Sequence, residues 1–455
     1  MSHKHLSYIS TAALLSLSLL LPLSAYSLSP EAPELQEDES GVPMEDVQRF
    51  SNAIAQIKQY YVKPVKDKDL FDNAIRGMLA GLDPHSSYLD EEDFSELQTA
   101  TSGEFGGLGI EVTMEEGVIK IVSPLDDSPA AKAKLKSGDY IIKIGSQSVQ
   151  GMELKNAVTL MRGKIGEPIT LTILRKGESK PLTFNLVRDK ILVKSVQAKL
   201  LDNQYGYIRL SQFQSMTGQD MLAGIADLKQ KAGGKLNGLV LDLRNNPGGL
   251  LDSAIQISDA FLDTKHQGKQ ELIVYTEGRL PGSKFTAIAT PGDILNNAPL
   301  VVLINNGSAS ASEIVAGALK DNKRAIIVGT RSFGKGSVQT VLPLDNVRGI
   351  KLTTALYYTP SGTSIQAQGI TPDIAIEEIA VPKVLADKDG FKGFSEADLS
   401  GHLANGNETA VATTPASNQA KKSTIAAADE QNLLHEDYQL YAALTILKSL
   451  VVARQ

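Results

Sequence analysis

Apolar residues recur at two different periods along this chain, and the change of period divides it. From Glu45 to about Leu97 the spacing is helical: Val47, Phe50, Ile54 and Ile57, then Leu70, Ala74, Met78 and Leu82, three or four positions apart. Gly81 and Asp83-Pro84 break that pattern as helix stops do. Between Gly103 and about Asp189 the pattern turns strand-like. Glycines cluster at Gly103, Gly106, Gly107 and Gly109, Ile110 to Val122 alternates, and Ser137-Gly138-Asp139 turns into the apolar Tyr140 to Ile144. Asp127-Ser128-Pro129 caps a short alanine-rich helix, Leu154 to Met161 predicts a second, and strand-like runs follow at Ile169 to Arg175 and Leu182 to Val187. The result is a compact β-rich module of about 85 residues.

From roughly Ile191 to Ile379 short apolar runs at Leu239 to Leu243, Leu300 to Ile304 and Ala325 to Val328 alternate with helical patterns at Leu251 to Leu262 and Ser312 to Leu319. Such alternation predicts an α/β core with parallel pairing. After Pro382 the chain is rich in Ala, Thr, Ser and Asn up to about Ala428, a composition that predicts disorder. A final helix over Glu430 to Val452 carries Leu433, Leu440, Leu444 and Leu447, a stripe suited to packing or dimerisation.

The N-terminal end reads as an export signal. His3, Lys4 and His5 precede the apolar stretch Ile9 to Leu23, and small residues at Ala25 and Ser27 predict cleavage after Ser27. The alternative is an uncleaved membrane anchor, for which the run is short and interrupted by Pro22. Ser29 to Met44 is acidic and proline-bearing, as linkers are. The expected organisation is a signal peptide at 1–27, a linker at 28–44, a helical region at 45–100, the β-rich module at 103–189, an α/β core at 190–380 with part of 45–100, a low-complexity stretch at 381–429 and a C-terminal helix at 430–455. The fold class is thus multidomain, α/β and β, with the β-rich module inserted into the α/β core.

Composition sharpens this picture in two places. A chain of 455 residues exceeds one ordinary core, and 42% apolar with 21% charged residues is that of a globular protein. The net charge of −7 gives no sign of nucleic-acid binding. Cysteine is absent, which excludes a thiol nucleophile, a disulfide, a thiolate metal site and a cysteine-linked lipid anchor. An exported chain without cysteine fits the bacterial periplasm, either free or associated with the inner membrane.

Candidate chemistry lies in three segments. The first is Asn306 to Glu313, where Ser310 sits between Ala309 and Ala311, residues too small to block a substrate backbone. The helix starting near Ser312 turns free N–H groups toward the place where an oxyanion would form. On these residues alone a helix N-cap formed by Ser308, Ser310 or Ser312, with Glu313 in the first turn, is the simpler reading. The second segment, Ser332 to Gln339, shifts that balance, because a lone Lys335 between two glycines can act as base to a serine when neutral. Its ordinary value near 10.4 must come down to near 7, a change worth about 4–5 kcal/mol, which an apolar pocket walled by Phe333 and Val338 could supply. Lys335, Ser337 and Gln339 share a face by alternation, so Gln339 is placed to hold the amine. A phosphate-binding loop is disfavoured, since Gly336 stands where that motif needs a hydroxyl after the lysine. The third segment is Asp242 to Leu250, whose Gly248-Gly249 pair brings backbone N–H groups near a reacting carbonyl. No histidine has a suggestive context: His3 and His5 lie in the signal, His402 and His435 toward the C-terminus, His266 in a polar loop, and His85 in a turn.

In combination these motifs resemble one family, the carboxyl-terminal processing peptidases, tail-specific serine proteases of bacteria and chloroplasts. The resemblance runs from about residue 45 to 380. It rests on Leu82 to Leu89 (LDPHSSYL), the Gly-Gly-Leu-Gly-Ile loop from Gly106, LRNNPGG from Leu243, GSASASEI from Gly307, FGKGSVQ from Phe333 and QGITPD from Gln368. It implies that Ser310 is the nucleophile, Lys335 the general base and Gln339 the residue orienting the lysine. Gly248 or Gly249, with Ala311, would supply the oxyanion-hole amides, and Asp321 matches a supporting acidic position of some members. The module at 103–189 resembles a PDZ domain in which Gly107, Leu108, Gly109 and Ile110 would hold a substrate's terminal carboxylate, and which gates the protease site. The implied partners are proteins or peptides with free apolar C-termini, with an adaptor protein and a homo-oligomer through the terminal helices as further candidates. No metal, cofactor or nucleic acid is expected. The rival readings are a catalytically silent PDZ scaffold and a Ser/His/Asp esterase, the latter disfavoured because Gly-x-Ser-x-Gly is missing around Ser310.

Overall fold

The computed structural model describes residues 41–115, 117–125, 127–264, 271–382 and 432–454. The expected signal segment, His266, nearly all of the low-complexity stretch and the linker up to residue 40 lie outside the described residues. Backbone contacts group the chain into two compact units, Met1–Phe71 and Asp72–Gln455. In the first, the helix Met44–Tyr60 begins with Glu45 and Asp46 and ends with Lys58, which complements the helix dipole. It buries none of its residues, and Val47, Phe50 and Ile57 stand exposed. Lys58 pairs with Asp67 at 2.6 Å, and the rings of Phe50 and Phe71 lie 6.4 Å apart.

The second unit is built around a six-stranded sheet in the order Val196–Leu201, Tyr205–Leu210, Gly238–Asp242, Leu300–Ile304, Ile326–Gly329 and Ile374–Ala375. The first two strands form an antiparallel pair and every later pairing is parallel. The continuous apolar runs follow from burial on both faces. Leu239, Leu241, Val302 and Ile304 point to a core shared with the helices Thr217–Lys231, Leu251–Asp259 and Ala311–Asp321. Val240, Val301 and Leu303 alternate with them and meet Leu440, Ala443, Leu444 and Leu447 of the C-terminal helix Tyr438–Ala453. The leucine stripe of that helix therefore packs on the chain's own sheet, which removes it as a dimerisation face. Arg244 fastens the contact, reaching Asp242 at 2.7 Å and Asp437 at 2.6 Å.

A second, antiparallel sheet of five strands contains Ser87–Leu89, Gly349–Tyr358, Leu272–Glu277 and Phe285–Ile288, with Ser337–Pro343 also paired to Gly349–Tyr358. The segment 45–100 is thus not wholly helical. Ser87 pairs with Lys351 and Leu89 with Gly349, a non-local pairing that no local period announces. The β-rich module forms its own sheet in the order Ile110–Glu115, Val118–Pro124, Tyr140–Ile144, Pro168–Leu174 and Leu182–Val187, around Ile119, Ile121, Ile141, Leu171 and Ile173. Ile110–Glu115 lies at its edge. Chain entry and exit run side by side as the ribbon Glu104–Gly107 with Asp189–Leu192.

Candidate active site

Three loops leave the carboxyl ends of the parallel strands Gly238–Asp242, Leu300–Ile304 and Ile326–Gly329, where open α/β sheets present their ligand crevices. They carry the Gly-Gly, Ser310 and Lys335 segments. The loops are sewn together by hydrogen bonds: Ala309 N–H to the Asn246 carbonyl at 3.0 Å, Ser308 Oγ to the Leu243 carbonyl at 2.8 Å, Ser312 Oγ to the Asn246 carbonyl at 2.9 Å, and Phe333 N–H to the Ser308 carbonyl at 3.0 Å. Of the three alternating serines, Ser308 and Ser312 are thus buried and engaged, while Ser310 lines an open cleft of about 460 Å³.

Ser310 has φ 54° and ψ −113°, a conformation that L-residues rarely adopt and that costs about 1–3 kcal/mol. The surroundings enforce it. Its carbonyl accepts from the N–H groups of Glu313 and Ile314 at 2.8 and 3.0 Å, and its own N–H donates to Glu313 Oε2 at 2.8 Å. Ser310 is therefore also the N-cap residue that the simpler reading expected, so capping and exposure of the hydroxyl coexist. Gly248 and Gly249, at φ 105° and 145°, accept close contact on the other side. A Cβ on Gly248 would come within 2.8 Å of Ser310 Cβ, and one on Gly249 within 2.1 Å of the Phe213 carbonyl. Gly248 donates its N–H to Asn246 Oδ1 at 2.9 Å, whereas Gly249 lines the cleft with Ala311.

Glu313 is the residue that sequence reasoning underrated. Its carboxylate is fully buried and accepts four neutral donors: Ser310 N–H at 2.8 Å, Ser332 Oγ at 2.6 Å, Gly334 N–H at 2.7 Å and Lys335 N–H at 2.9 Å. Burial pushes its carboxyl above the ordinary value, against the pull of those hydrogen bonds. One side chain thereby fixes the serine loop to the lysine loop. The spacing Ser310-x-x-Glu313, a capping-box signature, was the available signal.

Lys335 is half-buried in the same cleft. Burial, and then the neighbouring Lys351, lower the value of its amine, while Asp83 and Glu313 pull the other way. Tyr357 donates its hydroxyl to the Lys335 carbonyl and also stands beside Ser310. Val338 and Tyr357 line the cleft, but Phe333 is 63% exposed and is no wall, because its N–H anchors the turn while its ring faces water. The strand begins at Ser337, so the lysine precedes it, and alternation holds only for Ser337 and Gln339. Gln339 donates from Nε2 to Ser337 Oγ at 2.9 Å and Thr353 Oγ1 at 3.4 Å.

One expected residue lies elsewhere. Asp321 closes the far end of the helix, eleven residues or about 16 Å of rise from Ser310, and accepts the Ser361 N–H at 2.9 Å. That is a turn-fixing role, outside the cleft. His85 is half-buried near Lys335, its imidazole lowered first by burial and then by that lysine, and its backbone N–H donates to Asp83 Oδ1 at 2.8 Å. His435 Nδ1 lies 3.1 Å from the Val381 carbonyl. In the β-rich module, Gly107 pairs with Asp189 and Ile110 opens the edge strand. The Leu108 carbonyl accepts from Ala130 N–H at 3.0 Å, and the Gly109 carbonyl from Leu125 N–H at 2.8 Å and Ser128 Oγ at 3.1 Å, so both carbonyls are held by the turn and short helix that follow.

Comparison with known proteins agrees with this architecture. Residues 204–376 match the profile of peptidase family S41, residues 106–186 that of a PDZ domain, and residues 22–93 that of the activating protease CtpB N-terminal domain. A carboxy-terminal-processing protease of Bartonella bacilliformis is 51% identical over 366 residues, 79% of this chain and 81% of that protein. The carboxy-terminal processing protease CtpA of Bacillus subtilis is 38% identical over 330 residues, covering 72% of this chain and 68% of its own. A solved structure titled photosystem II D1 C-terminal processing protease aligns over 74% of this chain and 94% of its own at 29% identity, with a TM-score of 0.43. Half of all positions shared over four fifths of the chain leave one assignment: it belongs to the carboxy-terminal processing proteases of peptidase family S41, serine-type peptidases that carry a PDZ domain.

Proposed function

We propose that this chain is an exported endopeptidase that cuts protein substrates near their C-termini, with Ser310 as nucleophile and Lys335 as general base. The observation that carries this reading is a serine held at positive φ on a cleft it shares with a lysine whose surroundings lower its affinity for a proton. The neutral amine takes the proton from Ser310 Oγ as the oxygen attacks the scissile carbonyl. The N–H groups of Gly249 and of Ala311, the first residue of its helix, receive the developing oxyanion. Gly248 is the weaker candidate, since Asn246 already holds its N–H. The Lys335 ammonium then protonates the departing amine, and water repeats the sequence on the acyl-enzyme. Gln339 keeps the lysine aimed.

Substrate tails are read by the PDZ domain, in this proposal. The edge strand Ile110–Glu115 offers a place for an added strand, and the loop at Gly107, Leu108 and Gly109 precedes it, as carboxylate capture requires. An amidated peptide should bind more weakly than the same peptide with a free C-terminus, and equal affinity would remove the loop assignment. Export to the periplasm rests on the apolar N-terminal stretch, and N-terminal sequencing of the mature protein checks cleavage after Ser27. The unburied helix Met44–Tyr60 supports a homo-oligomer through the N-terminal region.

The deciding experiment measures peptide cleavage by Ser310→Ala, Lys335→Ala, Lys335→Arg and the Ser310/Lys335 double variant. Each should lose about 10³-fold or more, and the double variant should be no worse than either single one. Arginine fails because it stays protonated. Wild-type activity should rise with pH through the lowered lysine value and then level off. Undiminished cleavage by Lys335→Arg would discard the dyad, and no turnover by the wild type at any pH would favour the scaffold reading.

A further inference from the structure

The motif at Leu82 to Leu89 has no assigned part in the chemistry, yet the fold carries it to the rim of the active cleft. Asp83 accepts four hydrogen bonds there: His85 N–H at 2.8 Å, Ser86 N–H at 3.0 Å, Ser86 Oγ at 2.6 Å and, from a residue 270 positions away, Thr353 Oγ1 at 3.0 Å. Ser86 Oγ in turn accepts the Thr353 N–H at 3.1 Å. Thr353 is the direct cross-strand partner of Gln339, in a register set by a bulge between Val338 and Gln339 that skips one residue of the facing strand. Bulges re-aim side chains in this way.

We propose that Asp83 and Thr353 are positioning residues that set the orientation of the Gln339 amide, and through it the aim of Lys335. Hydrogen-bond polarity sets the order of donors and acceptors along this chain of groups. An ionised carboxylate only accepts, so the single hydroxyl proton of Thr353 must point to Asp83. Thr353 Oγ1 then has only lone pairs to offer Gln339, and only the amide NH2 can face it. The second Nε2 proton goes to Ser337 Oγ. With its nitrogen engaged on both sides, Gln339 has only its carbonyl to offer the Lys335 amine, and an amine that donates there keeps its lone pair for Ser310. Asp83 is held ionised by these donors, which outweigh its burial, so the polarity persists at neutral pH. The inference rests on the Ser310/Lys335 reading given above.

Full-length Thr353→Val, Thr353→Ser and Asp83→Asn are compared with the wild type on a fluorogenic peptide ending in a free apolar carboxylate. The rates are normalised to folded protein by near-UV circular dichroism. Thr353→Val should lower kcat about tenfold with KM within about twofold, because ground-state binding does not involve the relay. Thr353→Ser should restore most of the rate. Asp83→Asn should also lower kcat, since an amide can donate to Thr353 and reverse the chain. It should in addition move the rising limb of the pH profile to lower pH, because Asp83 supports the protonated form of Lys335 against Lys351, with His85 and Glu313 as the other titratable groups nearby. Thr353→Val should leave that limb in place. Wild-type kcat in Thr353→Val, or a serine variant no better than valine, would overturn the relay. If the valine variant does not fold, an Asp83→Asn protein with unchanged kcat overturns it equally. Failure of the dyad itself reads differently, as cleavage surviving in Ser310→Ala or Lys335→Ala.

Discussion

Glu313 and Asp242 are both fully buried carboxylates of the protease core, one in the first turn of the helix Ala311–Asp321 and the other at the end of the strand Gly238–Asp242. Asp242 is met by cations, with Arg244 at 2.7 Å and Arg209 at 3.4 Å, and by the Tyr207 hydroxyl at 2.9 Å. Glu313 is met by neutral donors, three backbone N–H groups and one hydroxyl. Around Asp242 the charges offset one another: the Arg244 guanidinium is raised and Asp437 lowered, each by its partner against the effect of burial. Around Glu313 nothing offsets burial fully, and its carboxyl is raised. The difference follows from what each holds. Asp242 clasps a helix to a sheet, where a second charge is harmless. Glu313 holds the loop of the lysine proposed as general base, and a carboxylate satisfied by four donors draws less on an ammonium than a bare one would.

The comparison can be broken from either side. Arg244→Ala leaves Asp242 buried and undercompensated, and should reduce stability to urea by about 3–5 kcal/mol, with kcat per folded molecule within about twofold of wild type. Glu313→Gln should do the reverse: an NH2 forced against two of four donors misplaces both loops, lowering kcat roughly 10²-fold, more than its loss of stability alone explains. Equal losses of activity in both variants would erase the distinction. Ser332→Ala removes one donor from Glu313 and should cost about 1 kcal/mol of stability, with a severalfold fall in kcat. The smallest effect concerns Lys335 itself. Its folded value lies below the unfolded one, so at pH between the two the unfolded chain binds a proton the native one lacks, and native stability rises with pH through that window. Lys335→Met should therefore melt at a slightly higher temperature than wild type at neutral pH, an advantage that shrinks toward pH 10.5, while cleaving nothing.

Much of this was legible in the residues. The parallel sheet announced itself because strands buried on both faces are apolar in their interiors, as Leu239 to Leu241 and Leu300 to Ile304 are. Ser310, Lys335 and Gln339 stood out because each lies in a short segment whose neighbours are already small or turn-forming. What escaped was non-local. The strand Ser87–Leu89 exists only because Gly349–Lys351 lies beside it, and three residues carry too little pattern to predict that. Whether the leucine stripe of the C-terminal helix would pack or dimerise depended on a sheet face built from distant strands. Phe333 and Asp321 were misjudged for the same reason: a sequence places them near motifs, while the turn and the helix carry them away from the cleft.

The pairing of Ser86 with Thr353 spans 267 residues, and every residue of the PDZ module lies between them. At ribosomal rates of roughly 5–20 residues per second, about 15–50 seconds separate the appearance of the first partner from that of the last. Closing so long a loop is slow, and it precedes any reward from the contacts it makes. Ser310 and Lys335 both enter the chain late in this interval, shortly before Thr353, and the strand pairing that brings Asp83 to Thr353 must then still form. The topology thus acts as a clock. A nascent protease whose site is completed only by its late strands has little opportunity to cut neighbouring chains, or itself, before it is whole.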